Sequence, residues 1–205
     1  MKNTWFVLVV TGLMTIVLGC GGGGDPVLPV IDSDTGVGTL NISMEDFKFT
    51  PDRIDLVACQ KIRVVLTNNS ATNDHGFTIG YGRTNQGGPA SGFDVDMLDA
   101  IDVAVTGPAK SVSSGNAILT RNGDEVSEDG AGGFMVVKAP STQATIIEFT
   151  VPPQVGDFEF ASFESGGKHY DDGMKGLIKV FPKDLPPKGW AGAWRSSPDK
   201  CASDS

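Results

Sequence analysis

The chain has 205 residues, and its 25 acidic side chains outnumber the 16 basic ones, giving a net charge of −9. That balance excludes a surface built to hold nucleic acid or anionic head groups, and it favours cationic partners. The length suffices for one domain with a real core.

Lys2 precedes a charge-free apolar run from Trp5 to Leu18, which ends at Val17-Leu18-Gly19-Cys20. The run is short for a membrane span, and a small residue before Cys is what lipoprotein signal peptidase requires. Residues 1–19 therefore read as a bacterial lipoprotein signal peptide, with Leu18 bulkier than usual for its place. An ordinary secretory peptide or an uncleaved anchor is the alternative. Cleavage would leave Cys20 as the lipidated first residue, and several acyl chains hold a membrane far better than one. Gly21, rather than Asp, follows the Cys, which favours the outer membrane of the bacterial cell envelope. Losing Lys2 makes the mature chain one unit more acidic.

Residues 20–38 are rich in Gly, Pro and Asp, show no period, and read as a tether. From Thr39 the pattern changes. Leu40, Ile42 and Met44 alternate with polar residues, as in a half-buried strand. Phe47 and Phe49 continue the apolar pattern up to Pro51. Ile54, Leu56 and Ala58 alternate next, and Ile62 to Leu66 forms another strand. Asn68-Asn69-Ser70 signals a turn. His75, Phe77 and Ile79 share one strand face by parity, with His75 at the strand's start.

Residues 81–137 are the least patterned. Val103 to Val105 and Phe134 to Val137 read as short strands, and Phe93 to Ile101 as one or two helical turns. Asp94, Asp96, Asp99 and Asp102 lack the Gly and terminal Glu of a calcium loop and read as a solvated acidic face. A stretch this long without strong pattern reads as an insertion with some structure of its own.

Thr145 to Val151 is a clear strand, ended by Pro152-Pro153. Gly156 leads into Phe158 to Phe163, where Phe158, Phe160, Ser162 and Glu164 share parity. A Gly-rich polar loop carries His169 and, five residues later, Met174. Leu177, Ile178 and Val180 close the last strand. The tail, 183–205, holds Trp190, Trp194 and Cys201, and is expected to pack on the outside of the domain rather than to dock a partner. Short alternating strands with turn signals and no long amphipathic helix imply an all-β sandwich over 39–182. Cys59 and Cys201 are candidates for one disulfide in an oxidising compartment, with a thiolate ligand as the rival use of either.

Phe49-Thr50-Pro51, Asn68 to Phe77 (NNSATNDHGF), Gly156 to Phe160 (GDFEF) and His169 to Val180 (HYDDGMKGLIKV) together resemble the cupredoxin pattern. The resemblance covers 39–182 apart from the insertion, and its second half, a His, a five-residue step to Met, then Gly-x-x-x-Val, is specific. It implies a Greek-key β-sandwich and a copper ion at one pole. The family's type 1 site uses two His, a Cys thiolate and a weak axial Met. Here the Cys is missing. Counting forward from Gly156 its place falls at Ser162; counting back from His169 it falls at Glu164. The expected metal ligands are His75, Glu164, His169 and Met174, with Ser162 beside them.

Without a thiolate, the intense colour and fast electron exchange of the family should be lost. Carboxylate and imidazole suit Cu(II), Met suits Cu(I), and Zn(II) would also accept His, His and Glu. The first reading is a copper-binding, copper-handling lipoprotein with a copper-transfer or redox protein as partner. Electron transfer between periplasmic or cell-surface partners is the alternative, and a metal-free structural or binding module is the third. No Ser-His-Asp order, phosphate loop or nucleotide fingerprint is present, so no enzyme is expected.

Overall fold

The computed structural model describes residues 24–84, 92–98, 101–107, 119–121, 124–126, 134–136 and 144–190. The expected signal peptide, Cys20, Asp99, Trp194 and Cys201 lie outside the described residues. Among the described residues, no helix is long and apolar enough to cross a membrane.

Two sheets pack face to face, as the alternating strands demand. One contains β1 (Val30–Ile31), β2 (Gly38–Glu45), β3 (Lys48–Thr50), β5 (Lys61–Asn68), β8 (Val103–Thr106), β9 (Leu119–Arg121), β10 (Asp124–Val126) and β12 (Thr145–Thr150). Its order is β1-β2-β5-β12-β8-β9-β10, with β3 on β2. The other contains β4 (Arg53–Val57), β6 (His75–Thr84), β7 (Gly92–Asp96), β11 (Phe134–Val136), β13 (Gly156–Ala161) and β14 (Lys175–Phe181). Its order is β11-β6-β13-β14-β4, with β7 on β6. The pairs β2–β5 and β4–β14 are parallel. This is the all-β sandwich expected from the sequence.

Period-2 burial runs along β2, β5, β12 and β14. Leu40, Ile42, Met44, Ile62, Val64, Leu66, Ile147 and Phe149 from one sheet meet Ile54, Leu56, Phe77, Ile79, Phe158, Phe160, Ile178 and Val180 from the other in one core. Gly176 is opposite Phe160 in the β13–β14 ladder. A Cβ there would strike the Phe160 ring and lie 2.6 Å from the Asp52 carbonyl oxygen, so the position admits only glycine without rearrangement.

Several local expectations need correction. Residues 24–38 do not stand off as a tether. Val27 donates its N–H to the Arg53 carbonyl and accepts from the Asp55 N–H, at 2.9 and 3.0 Å. Pro29 is buried and Val30 pairs with Thr39. The segment is held by its backbone hydrogen bonds and by burial of Pro29 and partial burial of Leu28 and Ile31, while Val27 and Val30 stay exposed. The stretch 81–137 is not a separate insertion throughout. Val103 and Val105 of β8 are core residues, and β8 pairs with β12. Phe93 sits on β7, not on a helix, because β7 pairs with the second half of β6. The expected strand at Phe134 is β11, which pairs with the start of β6. Asp94 and Asp102 are exposed, as a solvated face requires, whereas Asp96 accepts hydrogen bonds from the Thr78 hydroxyl and the Leu98 N–H.

Cys59 occupies the turn between β4 and β5 and is disulfide-bonded. The eight residues of β5 carry the chain about 25 Å from that turn to the loop before His75, at roughly 3.3 Å per residue. Cys59 is therefore no thiolate for a site at the His75 pole. Trp190 is half-buried at the end of the described tail.

Candidate metal centre

The site forms where β6 begins and β13 ends. Register places Thr78, Ile79 and Gly80 of β6 against Ala161, Phe160 and Glu159 of β13, so His75 and the residue after Ala161 arrive at the same edge. That residue is Ser162. Its Oγ accepts a hydrogen bond from the Gly76 N–H at 2.9 Å and lies 3.1 Å from His169 Nδ1.

His169 rides on a one-turn helix, α1 (Lys168–Asp171), entered through Gly166 and Gly167 with φ of 68° and 89°. Those left-handed values are open to glycine at little cost. The helix turns His169 inward, where its Nδ1 faces His75 Nδ1 at 3.4 Å. The chain's two histidines thus meet. Met174 is fully buried. Its N–H donates to the His169 carbonyl at 2.9 Å, and its own carbonyl accepts from the Ser162 N–H at 3.1 Å. The thioether residue is thereby tied by backbone to both neighbours.

Burial sets the electrostatics. His75 and Ser162 are fully buried and His169 nearly so. Burial, reinforced by the neighbouring His169, pushes His75 down to about 4. Burial likewise lowers His169. Both rings are therefore neutral near pH 7, the form that binds a metal.

Glu164, the expected replacement for the thiolate, stands differently. Strand β13 stops at Ala161, and Glu164 opens the turn before α1. Strand parity holds only within a strand, so it does not place Glu164 with Phe158 and Phe160. Its carboxylate lies beside Gly76: a Cβ on Gly76 would meet Glu164 Oε1 at 3.2 Å and Ser162 Oγ at 3.4 Å. Burial and the negative charge of Asp74 raise its pKa. Among the described residues no three His, Cys, Asp or Glu side chains group closely enough to hold a metal, so Glu164 does not complete a triad with the histidines here. The structure brings together His75, His169 and Ser162, with Met174 bonded to the last two through the backbone.

Two neighbours have no counterpart among the residues expected from the sequence. Asp46 and Phe47 form the tip of the β2–β3 hairpin, with Phe47 at φ 60°. The Phe47 ring meets His169 edge to face, with centroids 5.4 Å apart. Asp46 Oδ1 lies 3.7 Å from His75 Nε2. The signal available was the sequence break itself, since alternation stops at Glu45 and resumes at Lys48.

The donor set fits a small, borderline-soft cation. Two imidazole nitrogens bonded near-tetrahedrally to one ion at about 2.0–2.1 Å stand about 3.4 Å apart, the separation of His75 Nδ1 and His169 Nδ1. The Ser162 hydroxyl stands beside His169 Nδ1, and Met174 is buried close after them in the chain.

No protein-family model and no curated protein matches the chain. Solved structures similar to it include auracyanin from the photosynthetic bacterium Roseiflexus castenholzii, with 21% identity over 75% of this chain and 100% of that one, at a TM-score of 0.41. Auracyanin A, a "blue" copper protein of Chloroflexus aurantiacus, shows 16% identity over 71% of this chain and 100% of its own, at 0.42. The metal-binding domain of the Cu(I)-exporting P-type ATPase CopA of Streptococcus pneumoniae shows 13% identity over 78% and 99%, at 0.41. Likeness at this level adds no weight to the site, which stands on the chain's own geometry.

Proposed function

We propose that this chain is a copper-binding, cupredoxin-like lipoprotein that handles copper at the bacterial envelope, without catalysing a reaction. The observation that carries the reading is the facing pair of neutral imidazole nitrogens, His75 Nδ1 and His169 Nδ1, 3.4 Å apart at a buried pole. These two rings would hold one copper ion, with Met174 as the soft donor. Ser162 stands nearest to the family's thiolate place, and Glu164 is the anionic donor within the same loop. When bound, the ion would supply a centre that suits both oxidation states, imidazole favouring Cu(II) and thioether Cu(I). The protein's residues hold the donors neutral, exclude bulk water and fix the ring orientations. Lipid on Cys20 would keep the domain at the outer membrane, and the partner would be a copper-transfer or redox protein.

Titration with Cu(II) and with Cu(I), followed by electron paramagnetic resonance and visible spectra, tests the reading. One copper per chain with weak colour is expected. Absence of binding, or binding undiminished in the double variant His75→Ala, His169→Ala, would remove it. Burial of His75, Ser162, His169 and Met174 favours a second reading, electron transfer, because a dry and tightly held site reorganises little. A reversible voltammetric wave with fast exchange to a haem protein would select it.

A further inference from the structure

We infer that Asp46 is a positioning residue that holds the site open, by fixing the ring tautomer of His75; the inference rests on the metal reading above. The two histidines present a conflict. With both Nδ1 atoms unprotonated, two lone pairs face each other and can accept a cation. With a proton on either Nδ1, that atom can hydrogen-bond to the other across the same 3.4 Å, and the pair closes on itself. The Ser162 hydroxyl, 3.1 Å from His169 Nδ1, can donate to that nitrogen and keep it bare, which leaves the state of His75 to be fixed.

What decides between these states is the other nitrogen. His75 Nε2 is buried and makes no hydrogen bond. It faces Asp46 Oδ1 at 3.7 Å, beyond hydrogen-bond length but close enough for the charge of the half-exposed carboxylate to act on the buried ring. An Nε2–H directed at the carboxylate is attracted, and a bare Nε2 lone pair there is repelled. The carboxylate therefore places the proton on Nε2 and leaves Nδ1 free for the ion. Carboxylate control of the second ring nitrogen is a general device at metal-binding histidines.

The loop before His75 is built to hold that oxygen still. The same Asp46 Oδ1 accepts from the Ser70 hydroxyl and from Asn73 Nδ2, the latter at 3.0 Å. Ser70 is itself fixed, its N–H donating to Asn68 Oδ1 at 3.0 Å and its Oγ accepting from the Asn73 N–H at 2.9 Å. Asn68 Nδ2 returns to the Asn73 carbonyl at 2.9 Å. These bonds keep Asp46 ionised, its pKa lowered chiefly by Ser70 and then by Asn73. The Asn-rich run between β5 and β6 thus aims a charged carboxylate at a buried ring.

The test uses the full chain in detergent micelles with nitrogen-15 histidine, which labels only two rings. In the metal-free wild type near pH 7, the nitrogen spectrum should show His75 with the proton on Nε2. Asp46→Ala should move the proton toward Nδ1 and weaken Cu(II) binding by about 10–100-fold, the range seen for outer-shell partners. Asp46→Asn keeps the shape and an acceptor carbonyl but removes the charge, and should move both in the same direction as Asp46→Ala. A wild-type His75 already protonated on Nδ1 overturns the inference, even if Asp46→Ala does not fold. So does an unchanged tautomer in Asp46→Ala. A wild type that binds no copper yet shows the Nε2–H tautomer, lost in Asp46→Ala, would defeat the metal reading and leave the positioning role of Asp46 standing.

Discussion

His75 Nδ1 and His169 Nδ1 face each other 3.4 Å apart although 94 positions of sequence separate them. Removing either ring takes away half of the nitrogen donors. His75→Ala and His169→Ala are each expected to lower copper affinity by more than the roughly 10–100-fold associated with outer-shell partners. Isothermal titration on the two variants checks this, with circular dichroism to confirm the fold. Equal affinity in either variant would place the ion elsewhere.

Ser162 and Glu164 can be told apart by giving the site back a sulfur. Ser162 Oγ lies 3.1 Å from His169 Nδ1 and accepts from the Gly76 N–H. Ser162→Cys should therefore put a thiolate beside the His169 ring, and Cu(II) should then give an intense visible band. Glu164→Cys should give a far weaker one. A strong band from the second variant and none from the first would restore the carboxylate position as the inner one.

Acid should loosen the metal-free fold in a defined window. His75 has a folded pKa of about 4, below its ordinary value of 6.5, because it is buried and next to His169. The unfolded chain therefore takes up the proton first as pH falls. Stability is full above about 6.5 and is lost progressively down to about 4, by up to about 3 kcal/mol from this group. His169 is lowered too and adds in the same direction. Urea midpoints between pH 7 and 4 should show the slope, and it should flatten in His75→Gln if that variant folds. Copper-loaded protein should resist the loss, since ligand that binds only the folded state stabilises it.

Gly176 tests the core beneath the site. Any side chain there meets the Phe160 ring and the Asp52 carbonyl. Gly176→Ala is expected to cost about 1–3 kcal/mol, the usual range for overpacking. Thermal unfolding measures it. A neutral result would mean that Phe160 moves aside without loss.

The sandwich was legible because its strands bury one face each: Leu40-Ile42-Met44 and Ile147-Phe149 alternate in sequence as they do in burial. His75 was legible for the same reason, standing in step with Phe77. Glu164 was not. Parity extrapolated past Ala161 treats a turn as strand, whereas the count forward from Gly156 reaches Ser162, which the fold sets against His169. Strand β7 was hidden because Gly and Asp dominate around it and Phe93 to Ile101 read as helical turns; β8, anticipated at Val103 to Val105, was legible as a strand, but its partner β12 lies far along the chain. The break after Glu45 marks Asp46 only as a turn residue, because its relation to His75 runs through a hairpin tip that no spacing encodes.

The parallel pairings of β2 with β5 and of β4 with β14 bear on how the protein comes into being. Each joins segments that no short turn can connect, and β14 is the last described strand. Such non-local closures make for slow folding. His75 can meet His169 only after β6 has found β13. No half of the chain carries both imidazoles against each other. The facing pair is a property of the assembled sandwich, and no local segment can form it alone.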